Sequence, residues 1–444
     1  MKTVFLCGGI GKRMFPITED KFLLTFLGKS LLQNQLELAR QAGLKDFIII
    51  ANKFNMEQIE KIVGQVAGIK TRLILQKQPH GIADALKSAA SFLDGEIMIV
   101  NPNDVFAISA YTSLLQAAKK KSAGSYIIGF TTKSYFPGGY LVVNSAGELK
   151  HIVEKPKLGK EPGKLVNILV HFHSDTRQLL DYIGRVKTTR DDVYECALDS
   201  LAGDGHKIKV VAYNNFWAPI KYPWHIFDVV RYMLDNSRTA ISRSASVSPK
   251  ATIEGKVIIG DRVRIFENAV IRGPAYIGAG SLIGNNVLVR DYSHIGADCV
   301  IGFGTEVKSS YISDGCWVHS SYVGDSVIGK NCSFGAGTVL ANFRFDEQNV
   351  PVNMGAGAID SGRDKLGAII GDNCKTGINA SVMPGVRIGP DSVVGSHVCL
   401  MDDLGPGKMI QAEPRYVTQP NPVKSGDAKR AELKEKLRKL IPDK

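Results

Sequence analysis

The stretch Ile277-Gly278-Ala279-Gly280-Ser281-Leu282-Ile283-Gly284-Asn285-Asn286-Val287-Leu288 decides the fold of the C-terminal half. Each block of six opens on a large apolar residue, glycine often follows, and a small or β-branched residue stands fifth. The same period runs through Ile259-Gly260, Ile295-Gly296, Ile301-Gly302, Ile328-Gly329 and Phe334-Gly335, and it resumes at Ile370-Gly371, Ile388-Gly389 and Val394-Gly395. A fixed short period of this kind means a β-solenoid. Each hexapeptide forms one flat face and three faces form one coil. The apolar residues stack into an internal ladder, and glycine suits the tight corners. The interruption at about residues 343–367 reads as an external loop between coils, a position that often carries function.

Upstream the pattern changes to alternating strand-like and helix-like stretches. Thr3 to Leu6, Asp46 to Ala51, Thr71 to Leu75 and Glu96 to Val100 read as buried strands. Ser30 to Gln41, Met56 to Val66 and Ala83 to Phe92 carry helical periodicity, and Pro223 to Ser237 reads as a closing helix. This alternation predicts a parallel sheet covered by helices on both faces. Ligands in such sheets bind at the carboxyl ends of the strands. The glycine turn after the first strand and the Asn101-Pro102-Asn103-Asp104 turn are therefore expected near one crevice. The expected boundaries are 1–236 for this domain, 237–246 for a linker and 247–404 for the solenoid. Residues 405–444 form a Pro/Gly-rich segment and a charged helix, Asp427 to Leu440.

Composition excludes several classes. Hydrophobic residues make up 44% and charged ones 22%, which is globular rather than disordered. The net charge of +12 suits anionic small molecules. No basic run is interleaved with aromatics, so nucleic acid is not expected as a partner. No segment approaches the ~20 apolar residues of a membrane span. The seven cysteines show neither C-x-x-C nor metal spacing and are expected as reduced thiols in a cytoplasm.

The run Leu6-Cys7-Gly8-Gly9-Ile10-Gly11-Lys12-Arg13-Met14, followed by Pro16, Thr18 and Lys21, resembles the signature of sugar-phosphate nucleotidylyltransferases. Coupled to the solenoid and its run His319-Ser320-Ser321-Tyr322-Val323-Gly324-Asp325, the chain resembles the bifunctional N-acetylglucosamine-1-phosphate uridylyltransferase/glucosamine-1-phosphate acetyltransferase family. Phe334 to Thr338, Arg344 to Glu347 and Asp360 to Arg363 resemble its archaeal-type variant. The likeness covers about residues 1–400. It implies an α/β, Rossmann-like nucleotidyltransferase domain followed by a left-handed parallel β-helix, assembled as a homotrimer in the cytoplasm.

The implied first reaction joins a sugar 1-phosphate, N-acetylglucosamine 1-phosphate first among candidates, to the α-phosphorus of UTP or dTTP. Two polyanions must approach, so the site needs cations and backbone donors. Gly8, Gly9 and Gly11 would wrap the phosphates, because glycine lets backbone come close. Arg13 would hold the triphosphate and Lys21 the attacked phosphate. Gln76 and Gly81 resemble the base-reading pair; Ile82 beside them stands where uridylyltransferases commonly carry threonine, which leaves uracil or thymine open. Asp104 resembles the Mg²⁺-binding aspartate. Gly139, Glu154, Lys155 and Asn167 resemble the sugar-binding set, with Asn167 on the 2-substituent. One departure is serious: the segment that bears the family's second metal ligand reads Trp217-Ala218-Pro219-Ile220-Lys221, and proline cannot ligate. Lys221 as a substitute positive charge, or Asn215 shifting in, are the two expected compensations.

For the solenoid the resemblance implies acetyl transfer from acetyl-CoA to an amino sugar. His319 would be the base. Arg290, Lys308, Tyr322 and Asn342 would hold the sugar phosphate, and Ala336 would meet CoA through its backbone. Ser333, Gln348 and Pro351 depart from the pattern, and Arg363 and Lys365 are the expected compensating charges. A second reading belongs to another class: a nucleotide-sugar-binding or scaffolding trimer that has lost catalysis, which Pro219 favours.

Overall fold

The computed structural model describes residues 1–9, 12–78, 80–188, 190–355, 357–423 and 426–440. The strand Lys2–Cys7 sits inside the N-terminal sheet, parallel to Asp46–Ala51 on one side and Ile97–Val100 on the other. Its pleat sends alternate side chains to opposite faces. Phe5 and Cys7 join one apolar cluster, with Leu32 and Leu36 of the helix Leu31–Gln41. Val4 joins another, with Ala83 and Leu86 of the helix Gly81–Ser88. Helices thus cover both faces, as the alternation predicts. The helix Leu31–Gln41 begins where Ser30 Oγ accepts from the Gln33 N–H at 3.1 Å, an N-cap that satisfies an otherwise orphaned donor.

The sheet is mixed rather than parallel throughout. Leu165–His173 runs antiparallel to both Ile97–Val100 and Ser125–Thr131. Its register slips between Ile168 and His171, which face the consecutive residues Ile128 and Ile127. This bulge lies beside the crevice: the Asn101 N–H donates to the carbonyl of Leu169 at 3.0 Å.

The C-terminal half is a left-handed parallel β-helix with three sheets of eight, nine and eight strands. Ile259, Ile277, Ile295 and Ile312 stack in register as the internal ladder. The first paired strand of one face, Ala240–Ile241, lies within the stretch expected as a linker, and Met409–Ile410 pairs beyond residue 404. The repeat glycines do a different job from the one expected. A Cβ on Gly278 would lie 2.4 Å from the backbone of Gly296 in the next coil, so glycine there permits coil stacking. The left-handed corner falls later in the repeat, as at Asn286 with φ +57°, a conformation asparagine tolerates.

The two halves share a core. Phe26 packs with Tyr276, Tyr311, Val327 and Ile369 of one solenoid face. Tyr311 Oη donates to the Thr25 carbonyl at 2.9 Å, and the Leu27 N–H donates to His294 Nε2 at 3.2 Å. Lys330 pairs with Glu19 at 2.5 Å, which ties the segment just before Lys21 to the solenoid. Tyr311→Ala should destabilise the protein by about 3 kcal/mol, because it removes a buried ring and orphans a carbonyl; thermal unfolding of the full chain reads this directly.

Residues Gln411–Lys444 form a separate unit. Its helix, Asp427–Leu440, exposes Leu433, Leu437 and Leu440 and carries the i,i+4 ion pairs Glu432–Lys436 and Glu435–Lys439. Among the described residues, no helix is long and apolar enough to cross a membrane.

Candidate active sites

The carboxyl ends of Lys2–Cys7 and Ile97–Val100 open into a cleft of about 420 Å³ lined by Gly9, Arg13, Lys21, Asn101, Asn103, Asp104, Asp191 and Lys221, among others. A second hollow of about 170 Å³, lined by Gly8, Gln76, Gly81 and Ile82, shares Leu6, Gly9, Asn101 and Asn103 with it. The two are one continuous crevice. Gly11 lies outside the described residues.

A polar clamp holds the glycine turn. Asn55 Nδ2 donates to the Cys7 carbonyl at 2.9 Å and to Asp20 Oδ2 at 2.7 Å, and Asn52 Nδ2 donates to the Gly8 carbonyl at 3.3 Å. One buried amide therefore links the turn to the Lys21 segment. Sequence reading missed Asn52 and Asn55, because no local pattern reveals a contact across so many residues. Gln76 Nε2 donates to Asp84 Oδ2 at 2.8 Å and to the Gly81 carbonyl at 3.3 Å. Its Oε1 lies where a Cβ on Gly8 would stand, 1.9 Å away. Gly8→Ala must displace this amide, so for the nucleotide that the resemblance implies here the KM should rise about tenfold with little change in kcat; steady-state kinetics at saturating co-substrate check it.

Asp104 is buried. Trp217 Nε1 donates to its Oδ2 at 3.1 Å, and Gln35 Nε2 donates to its backbone carbonyl at 2.6 Å. Pro219 pairs directly opposite it in the short antiparallel ladder of Trp217–Pro219 with Asp104–Phe106. Asn215 does not shift in: its side chain donates to Ser109 Oγ at 2.6 Å. Lys221 lines the cleft instead. Burial lowers the Lys221 ammonium, with Asp104 opposing that shift. Burial, then Lys221 and Arg13, push Lys21 down to about 8. Burial pushes Asp104 up, against Lys221, the Trp217 N–H and Lys21. These three groups share one poorly solvated space with Arg13 at its mouth.

The donor set suits a hard cation sparingly. Asp104 offers Oδ1, since Oδ2 already accepts from Trp217. Asn103 Oδ1 is buried with no hydrogen-bond partner among the described residues. No group of three or more His, Cys, Asp or Glu side chains with metal-binding geometry occurs among them. Mg²⁺ is commonly held by one or two protein oxygens plus substrate phosphates, so these residues fit it.

Among the residues expected to bind sugar, a Cβ on Gly139 would lie 2.9 Å from Glu154 Oε2 and 3.7 Å from the Asn167 Cβ. Gly139, Glu154 and Asn167 therefore line one spot. Lys155 Nζ pairs with Glu154 Oε1 at 2.9 Å. Its backbone takes φ +48°, a costly geometry for a non-glycine residue and typical of substrate sites. Both side chains act electrostatically on Lys221, which places them beside the same cleft. Two acids not singled out from sequence complete it. A Cβ on Gly81 would meet Asp191 Oδ1 at 1.9 Å, and burial followed by the Glu154 charge pushes Glu195 to about 7.

On the solenoid, Tyr322, Asn342, Lys308 and Asp325 form one cluster. Asn342 Nδ2 donates to Tyr322 Oη at 3.2 Å and to Asp325 Oδ2 at 2.5 Å, and Lys308 Nζ reaches the same oxygen at 2.6 Å. Arg290 pairs with Glu306 at 3.0 Å, the in-register neighbour of Tyr322. His319 stands exposed at the corner after Trp317–Val318, and no described residue hydrogen-bonds its ring. Ala336 is exposed in the next coil, its carbonyl accepting from Asn379 N–H at 2.9 Å. Arg363 does not join this cluster. It pairs with Asp228 of the N-terminal half at 2.7 Å, because the inserted loop folds back and buries Val350, Val352 and Leu366 there.

A nucleotidyl transferase family model matches residues 2–218. A bacterial transferase hexapeptide model matches 367–401, and a hexapeptide repeat of succinyl-transferase matches 256–290. A bifunctional sugar-1-phosphate nucleotidylyltransferase/acetyltransferase of Sulfurisphaera tokodaii is 35% identical over 93% of this chain and 100% of its own length. The bifunctional proteins GlmU of Methanococcus maripaludis and Methanocaldococcus jannaschii are 36% and 32% identical, over 91% and 90% of this chain and 95% of each relative. The chain belongs to the bifunctional sugar-1-phosphate nucleotidylyltransferase/acetyltransferase family.

Proposed function

We propose that the N-terminal cleft condenses N-acetylglucosamine 1-phosphate with UTP or dTTP, and that the solenoid acetylates an amino-sugar phosphate with acetyl-CoA. In the first reaction a sugar-phosphate oxygen attacks the α-phosphorus, the bond to the β-phosphate oxygen breaks, and pyrophosphate leaves. The observation that carries this reading is the convergence of Arg13, Lys21, Asp104 and Lys221 on a cleft continuous with the Gly8–Gln76–Gly81 hollow. Arg13 and Lys21 would bind and orient the triphosphate, and Lys155 would meet the sugar phosphate. Gln76 Oε1 would accept from the pyrimidine ring N–H that uracil and thymine share. Asp104 Oδ1, with Asn103 Oδ1 beside it, would hold Mg²⁺, which supplies charge neutralisation on the phosphates. Lys221 would offset triphosphate charge where relatives in this family carry a second metal ligand. The solenoid residues would assemble as a homotrimer, with His319 as base.

A matrix of NTPs and sugar 1-phosphates, read by pyrophosphate release with Mg²⁺, tests the first activity. Turnover confined to pyrimidine nucleotides and a hexosamine phosphate is the expected result. Pro219 opposite Asp104 favours one other reading, a binding or scaffolding trimer. Intact ligand binding with no turnover for any pair would establish that reading instead.

A further inference from the structure

A buried chain of hydrogen bonds runs from the sugar side of the cleft into the N-terminal domain. Asn167 Oδ1 lies 2.8 Å from His171 Nε2, and His171 Nδ1 lies 2.8 Å from Tyr194 Oη. Tyr194 Oη lies 2.9 Å from His173 Nε2, and His173 Nδ1 lies 2.8 Å from Ser125 Oγ. His171, His173 and Tyr194 are no more than 1% exposed. The bulge between Ile168 and His171 compresses the strand locally and brings the His171 ring within reach of Asn167.

Burial holds His171 well below its ordinary range and His173 at about 3, and it keeps the Tyr194 phenol protonated. Each imidazole therefore carries one N–H and one bare nitrogen. Tyr194 has a single proton and two nitrogen neighbours, so it donates to one ring and accepts from the other. The two tautomers are thereby coupled, and the chain points outward or inward as a unit. Pointing outward, Ser125 donates to His173 Nδ1, and His173 Nε2–H donates to Tyr194. Tyr194 then donates to His171 Nδ1, and His171 Nε2–H donates to Asn167 Oδ1. Every proton in the chain then has an acceptor. Pointing inward, Ser125 accepts from His173, and its own proton finds no acceptor among the described residues, at a cost of about 1–3 kcal/mol in a buried site.

We propose that His171 and Tyr194 position the sugar subsite: through this chain they fix the Asn167 amide with its NH2 group toward the sugar, and so set the margin by which the site favours a 2-acylamino sugar 1-phosphate over one bearing an ammonium. The proposal rests on the reading of Asn167 as the contact to the 2-substituent. An ammonium has no lone pair, so it meets the Asn167 N–H donor against donor. His171 and Tyr194 act through Asn167 and are positioning residues.

The test compares kcat/KM for N-acetylglucosamine 1-phosphate and glucosamine 1-phosphate with one nucleotide. Tyr194→Phe frees the His171 tautomer, and His171→Phe removes the donor. In both, the ratio of the two sugars should fall about tenfold while the KM for the nucleotide stays within about twofold. His171→Gln, which retains an N–H, should keep the wild-type ratio. A ratio unchanged in both phenylalanine variants overturns the proposal. If those variants fail to fold, the ring nitrogen chemical shifts of His171 in the unaltered protein decide: the Nε2–H tautomer upholds the proposal, and the Nδ1–H tautomer overturns it. If the wild-type protein turns over no sugar 1-phosphate, the reading of the reaction falls on its own. The ratio of the two sugars' dissociation constants, read by calorimetry, then decides the selection.

Discussion

Replacing Lys21 by alanine is expected to lower kcat/KM for nucleotidyl transfer about 10²–10³-fold, the loss typical of removing one fixed donor at a developing charge. Lys21 shares the cleft with Arg13, Lys221 and Asp104, and its low solvation makes each charge there count for more than it would in water. The same crowding predicts a pH dependence. Burial and the two neighbouring cations depress the Lys21 pKa to about 8, so its ammonium is complete below that pH and is lost as pH rises through it. kcat/KM for the nucleotide reports groups in the free enzyme and should therefore fall above about pH 8. A triphosphate bound there, as proposed, would stabilise the ammonium, so the corresponding limb in kcat should lie at higher pH. Arginine stays protonated throughout, so Lys21→Arg should move the descending limb upward. Burial also lowers the neighbouring Lys221 ammonium, with Asp104 opposing that shift. A Lys21→Ala enzyme within threefold of wild type would remove Lys21 from the reaction.

Local signals in the sequence located the elements, and long-range contacts supplied the rest. Asp46–Ala51 and Asp427–Leu440 have the bounds that periodicity predicts, since both are runs whose pattern is complete within themselves. The hexapeptide period is likewise local and repeated, so the solenoid was legible apart from its outermost strands, Ala240–Ile241 and Met409–Ile410, and the role of its glycines. The antiparallel insertion of Leu165–His173 was not, because an apolar strand reads alike in either direction. Its bulge is invisible in sequence for the same reason, and with it the contact of His171 to Asn167. The resemblance put Pro219 at the second metal-ligand position, whereas its pairing opposite Asp104 and the placement of Lys221 in the cleft needed the short ladder and the turn of chain after it. Arg363 shows the converse failure. Its charge suited a phosphate site, but the loop's apolar residues Val350, Val352 and Leu366 carry it to Asp228 in the other half.

His319→Ala should lower kcat for acetyl transfer about 10²–10⁴-fold, the contribution of a positioned general base, and leave nucleotidyl transfer unchanged. The amine of an amino sugar is protonated at neutral pH and must lose that proton before it attacks the thioester carbonyl. A base for this step must be accessible to the substrate, and the exposed His319 ring at its solenoid corner meets that need. The neighbouring cluster is assigned a different task in the proposed reaction. Lys308 and Asn342 both bond Asp325 Oδ2, and Arg290 bonds Glu306, so each cation is pre-oriented by a carboxylate on the same face. A sugar phosphate bound there, as proposed, would draw on these cations in competition with the carboxylates. Loss of either cation, or of the Asn342 amide that shares Asp325 Oδ2 with Lys308, should therefore appear mainly in KM, and Asn342→Ala is expected to raise the KM for the sugar phosphate with kcat little altered. The split between the two variants, one in kcat and one in KM, distinguishes a chemical role for His319 from a general disturbance of the coil. Acetyl transfer within threefold of wild type in His319→Ala would move the base elsewhere on the solenoid.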